Sequence, residues 1–177
     1  MSLPPSGTFD TEILSQGEFK QALEDLRNAV GQVQGSAARA VRSGSHQSIS
    51  GSTVTKVQLN GEIFDKGDNF DSTTNFEYIA PADGIYDVRA SIGYENAPPG
   101  IEMHCRIHVN GYVENYGRLT NETASTTYDI EVTIFDTLEL SEGDAVDLRA
   151  YHTNGSALDV VHSDQKTFLS IHLIGPV

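Results

Sequence analysis

Near Thr53 the apolar residues of this chain change period, and in successive runs from there to the C-terminus they alternate with polar ones, with no helical pattern intervening. Tyr86, Val88, Ala90, Ile92 and Tyr94 alternate with Asp87, Arg89 and Ser91. Ile101, Met103, Cys105, Ile107 and Val109 alternate with Glu102, His104, Arg106 and His108. The same phase returns in Tyr128–Ile134, in Val146–Ala150, and in a last run carrying Leu169, Ile171 and Leu173. A period of two places successive side chains on opposite faces, so each run predicts a strand with one buried face. Turn signals separate the runs: Asn60-Gly61, Asp83-Gly84, Pro98-Pro99-Gly100, Asn110-Gly111, Glu142-Gly143 and Asn154-Gly155. Without crossover helices a parallel sheet is excluded. The fold class is therefore mainly β, an antiparallel two-sheet sandwich or jelly roll over 53–177.

The first fifty residues follow other rules. Ser15 followed by Glu18 makes a capping box, and Leu14 is placed to staple onto Phe19. Phe19, Leu23, Leu26, Val30 and Val33 then recur at spacings of 4, 3, 4 and 3, a heptad seam of two repeats. A helix of this length is marginal alone, so the seam predicts oligomerisation or anchoring to a partner, with docking onto the β domain of the same chain as the alternative. The expected organisation is an arm and heptad helix over 1–34, a Ser/Gly/Ala linker over 35–52 and a β domain over 53–177.

Charge narrows the partners. With 25 acidic against 11 basic residues the formal net charge is -14, which opposes nucleic acid and anionic membrane surfaces. No stretch has the length and hydropathy of a membrane span, and the start of the sequence lacks the basic and apolar segments of a secretory leader. The single cysteine, Cys105, falls on the inward phase of a strand and reads as an inert thiol.

Two resemblances add to this reading. The segment from Phe64 to Val88, with its Asp68–Asp71 loop, Phe76 and Tyr78, Ala80-Pro81 and Gly84-Ile85-Tyr86, resembles the C1q/TNF-like jelly-roll family, as does the closing Phe168–Ile174. Pro81 cannot donate to a ladder and ends a strand, Gly84 permits a tight corner, and Tyr86 restarts the inward face. The resemblance covers about 54–177. It implies a ten-strand jelly roll assembled as a homotrimer, with ligands or receptors bound on loops or between subunits. Members from animals usually follow a collagen-like stalk, whereas this chain has a heptad helix. Residues Leu3-Pro-Pro-Ser-Gly-Thr-Phe9, followed by the helix containing Glu18–Leu26, resemble the N-terminal anchors of bacteriophage head-fibre and tail-fibre proteins. That resemblance implies that 1–34 join other virion proteins and that the β domain is displayed on the virion surface, where it meets a host glycan or protein.

The remaining constellations are weaker. Asp65, Asp68, Asn69 and Asp71 bring hard oxygen ligands together and form the one calcium candidate, without EF-hand spacing; no other cofactor or metal is expected. His104 and His108 stand roughly 13 Å apart along a strand, too far to share a metal, and read as part of a solvent-facing polar face. No nucleophile elbow, Cys/His pair or phosphate loop is present, so no catalytic residue is assigned. Asn121-Glu-Thr and Asn154-Gly-Ser match the glycosylation acceptor pattern. The reading is a non-enzymatic phage virion protein, a trimeric fibre, spike or decoration subunit. A C1q/TNF-like ligand or lectin-like module of a cellular organism competes with it, and a small polysaccharide-active enzyme, which needs two convergent carboxylates, comes third.

Overall fold

A computed structural model describes residues 15–122 and 128–177, the side chains of 28–35 and 128 excepted. The chain divides into a helical unit ending at Gly31 and a β unit from Gln32 to Val177. Helix α1 spans Gln16–Gly35. Its capping box forms as expected: the Ser15 amide donates to Glu18 Oε2 at 2.8 Å, and the Glu18 amide donates to Ser15 Oγ at 3.3 Å. Leu14, the predicted staple, lies outside the described residues.

The β unit contains β1 (Ala37–Val41), β2 (Gln47–Ile49), β3 (Thr55–Lys56), β4 (Gly61–Lys66), β5 (Phe70–Asp71), β6 (Glu77–Ile79), β7 (Gly84–Ala97), β8 (Glu102–Val109), β9 (Tyr112–Thr120), β10 (Tyr128–Leu140), β11 (Ala145–His152), β12 (Leu158–Val160) and β13 (Phe168–Gly175). One sheet, here sheet A, runs β2-β12-β7-β13-β1-β4 with β10 also paired to β7; sheet B runs β5-β6-β11-β8-β9 with β3 paired to β11. Every pairing is antiparallel.

Segment 35–52 is not the expected linker. Ala37–Val41 is a strand held between β13 and β4, and Gln47–Ile49 pairs with β12. Ala38 and Ala40 are fully buried because a small side chain is what the space between the sheets admits there, so the β body begins near Ser36 rather than Thr53.

The core consists of the alternating residues named above. Tyr86, Val88, Ala90, Ile92 and Tyr94 of β7 face Met103, Cys105 and Ile107 of β8 and Val146, Leu148 and Ala150 of β11, all fully buried. Tyr94 also ties the sheets: its hydroxyl donates to the His104 carbonyl at 2.5 Å and accepts the Tyr151 amide at 3.2 Å. Burial pushes the Tyr94 phenol and the Cys105 thiol far above their usual ranges. At the corner, Ala80 pairs with the β10–β11 turn through Ala80 N to Asp144 O and Gly143 N to Ala80 O. Tyr86 Oη donates to Ala82 O at 2.7 Å. Gly84 works by closeness rather than by turn geometry: a Cβ there would sit 2.5 Å from Leu173 Cδ1 and 2.8 Å from Gly175 O. Asn110 and Gly111 both have positive φ, as a two-residue type I′ hairpin between β8 and β9 requires.

Candidate binding face

The outward residues of sheet B come from β3, β6, β8, β9 and β11, and the register sets them in rows. Asp147 lies opposite Glu77 and His108; Arg149 lies opposite Lys56 and Arg106; Arg106 lies opposite Tyr116; Tyr151 lies opposite His104, which faces Arg118. This face was expected to be solvent-exposed, but His104, His108 and Asp147 are all buried. The cause is aromatic cover and charge pairing. Tyr116 stacks flat on His104 with ring centroids 5.3 Å apart, and Tyr151 tilts against the same imidazole at 4.9 Å.

Asp147 is the electrostatic centre. Arg149 Nε and Nη2 donate to its two oxygens at 2.7 and 2.9 Å, and Lys56 Nζ lies 2.9 Å away while also donating to Glu77 at 2.9 Å. Burial alone would raise the Asp147 pKa, but the hydrogen bonds from Arg149 and Lys56 outweigh it and hold the carboxyl below its usual range. Lys56 is shifted the opposite way, upward, because its bonds to Glu77 and Asp147 overcome its desolvation. His108 donates Nδ1–H to Gly111 O at 3.1 Å, and burial lowers its pKa.

A second group surrounds Arg106. Its Nη2 donates to His104 Nδ1 at 2.9 Å, which leaves His104 Nε2–H to donate to Glu102 Oε1, while Arg118 Nη1 reaches Glu102 Oε2 at 3.4 Å. The hydrogen bond from His104 holds the Glu102 carboxyl below its usual range. The Arg106 guanidinium lies 4.8 Å from the Tyr151 ring centroid and 5.5 Å from that of Tyr116.

Phe19, Leu23 and Leu26 are exposed along one stripe of α1; the side chains of Val30 and Val33 lie outside the described set. In the calcium-candidate loop, Asp71 turns its carboxylate back on the amides of Thr73, Thr74 and Asn75, which lowers its pKa far below the usual range. Asp65 Oδ2 accepts the Phe70 amide at 2.8 Å, and Asn69 Nδ2 donates to Ser36 Oγ and Lys66 O. Asp68 has φ 56° and is exposed. Among the described residues no three His, Cys, Asp or Glu side chains converge. Asn121 is buried with its Nδ2 donating to Ala97 O, so a glycan there would displace a structural hydrogen bond.

No protein-family model matches the chain, and no curated protein sequence matches it. Solved structures do. The globular domain of a zebrafish complement 1qA protein superposes with a TM-score of 0.59 at 16% identity, over 80% of this chain and 99% of that one. The Eiger TNF of S. frugiperda gives a TM-score of 0.60 at 13% identity, over 81% and 95%. Murine APRIL gives 0.56 at 14% identity, over 78% and 98%. Such low identities speak to architecture alone, and on architecture they agree with the strand order: this chain is a C1q/TNF-like jelly roll with one short N-terminal helix.

Proposed function

We propose that this protein is a non-catalytic display module that self-associates as a homotrimer and serves as a structural protein of a bacteriophage virion: a head fibre, tail fibre, spike or decoration subunit on the particle surface. The observation that carries the self-association is Phe135, 77% exposed on the outward face of sheet A. One row of that face runs Phe135, Arg89, Ser170, Arg39 and Phe64, placing an aromatic ring at each end of the row. Phe64 is exposed as well, and Phe135 and Phe168 line an open apolar hollow together with Asp87, Arg89, Thr133 and Ile134. Exposed aromatic rings beside an open apolar hollow are what an interface between copies presents. The particle role rests on the resemblance of Leu3–Phe9 and the following helix to phage anchors, and on the exposed Phe19, Leu23 and Leu26, which supply an apolar stripe for a partner.

Deleting residues 1–34 tests the particle role. Purified virions should then lack the protein while the β unit remains folded by circular dichroism; incorporation at the full-length level would refute it. The fold likeness to complement and TNF proteins favours a second reading, a ligand-like binding module of a cellular organism, which shares the trimer and drops the particle.

A further inference from the structure

Among the described residues, Arg106 is the arginine of the β unit that has no oxygen acceptor. Arg39 donates to Asp164 O, Arg42 to the carbonyls of Ser45 and Gln58, Arg89 to Asp87, Arg118 to Glu102 and Arg149 to Asp147. Of the five N–H donors a guanidinium carries, Arg106 uses one, on the His104 imidazole. Its Nε is buried with no partner, and its Nη1, which makes no hydrogen bond among the described residues, is not buried and is the donor that a ligand can reach. The buried Nε–H carries its desolvation cost without the charge-assisted bond that normally offsets it. The carboxylates around it are already occupied: Asp147 and Glu77 by Lys56 and Arg149, Glu102 by His104 and Arg118.

The neighbours define what would complete it. Tyr116 rests one ring face on His104 and is half exposed, so its other face offers a flat apolar platform beside the guanidinium. Tyr151 closes the opposite side of Arg106 at 4.8 Å. Arg118, opposite His104 in register, extends a second cation into solvent, its side chain 63% exposed. A planar fork, a second cation and an aromatic plate together match a carboxylate carried on a ring whose C–H face can lie on tyrosine. We propose that the outward face of sheet B holds a binding site for a carboxylate-bearing sugar, with Arg106 taking the carboxylate and Tyr116 the sugar ring. The site deepens the display reading, yet it lies on the sheet opposite the Phe135 row and does not depend on the trimer.

The test is NMR titration of the full-length protein with methyl β-glucuronide, with methyl β-glucoside and free glutamate as controls. Shifts are expected at the Arg106 Nε–H and the Tyr116 and Tyr151 rings, saturable with glucuronide. Glucoside and glutamate should each bind at least about tenfold more weakly, the order of one charge-assisted bond or one stacking platform. Arg106→Gln should abolish the glucuronide shifts. Because that substitution enters a packed stack, Tyr116→Ala at a half-exposed position provides an independent arm, with a loss of about tenfold expected. Equal response to glucuronide and glucoside, glutamate binding as well as glucuronide, or glucuronide shifts unaltered by Tyr116→Ala would each overturn the assignment.

Discussion

Replacing Asp147 by Ala is the sharpest stability test of the sheet B network. The side chain is 4% exposed and holds two cations, Arg149 through a two-pronged contact at 2.7 and 2.9 Å and Lys56 at 2.9 Å. Removing one partner of a buried ion pair costs about 3–5 kcal/mol, because the charges left behind are desolvated without compensation. Here the lower end applies. The Arg149 and Lys56 side chains are 25% and 29% exposed, and Lys56 keeps Glu77. A loss of about 3 kcal/mol corresponds to a fall in melting temperature of roughly 6–12 °C for a chain of this size. Urea denaturation at pH 7 and fixed protein concentration measures it. The pH dependence supplies a second reading. The folded-state pKa of Asp147 lies below its unfolded value, so its contribution is present above about pH 4 and is lost as the pH falls through the folded value. The gap between wild type and variant should therefore close on acidification. A loss under about 1 kcal/mol at pH 7, or a gap that widens toward acid, would show that the network is not what holds this face together.

Other perturbations follow from single contacts. Gly117→Val on β9 would place a Cβ 2.3 Å from Ile134 Cγ2 and 3.4 Å from the Thr133 carbonyl, so overpacking of about 1–3 kcal/mol is expected in urea midpoints; no change would mean the β9–β10 edge is looser than described. Tyr94→Phe strips the His104 carbonyl and Tyr151 amide of their inter-sheet partner and should cost about 1–3 kcal/mol by the same assay, with the fold unchanged by circular dichroism. Burial lowers the pKa of His108 and His152, so the unfolded chain takes up protons first and stability should fall as the pH drops below about 6.5; His152→Gln should flatten that slope.

Much of the fold was legible because its signals are local. The alternation in β7, β8, β10, β11 and β13 set the inward face, and Ser15 with Glu18 marked the helix start. Ala37–Val41 was not, because its inward positions are alanines and small residues carry little hydropathy contrast; the trace it left is Ala38 and Ala40 alternating with Arg39 ahead of Val41. The make-up of the outward face of sheet B was hidden for a different reason. Asp147, His104 and His108 stand at the polar positions of their strands, and what buries them comes from other strands. Lys56 reaches Asp147 from β3, Tyr116 covers His104 from β9, and Tyr151 covers it from β11. Cross-strand register decides those contacts, and a single strand's periodicity does not contain it.

In the proposed assembly sheet A is the interface between copies and sheet B the display surface. Light scattering of the intact chain, beside Phe135→Asp, tests this most directly. The wild type should give three times the chain mass, and the variant should fall to one chain with its β structure retained. A wild type that runs as a clean monomer, or a variant that remains trimeric, would contradict it.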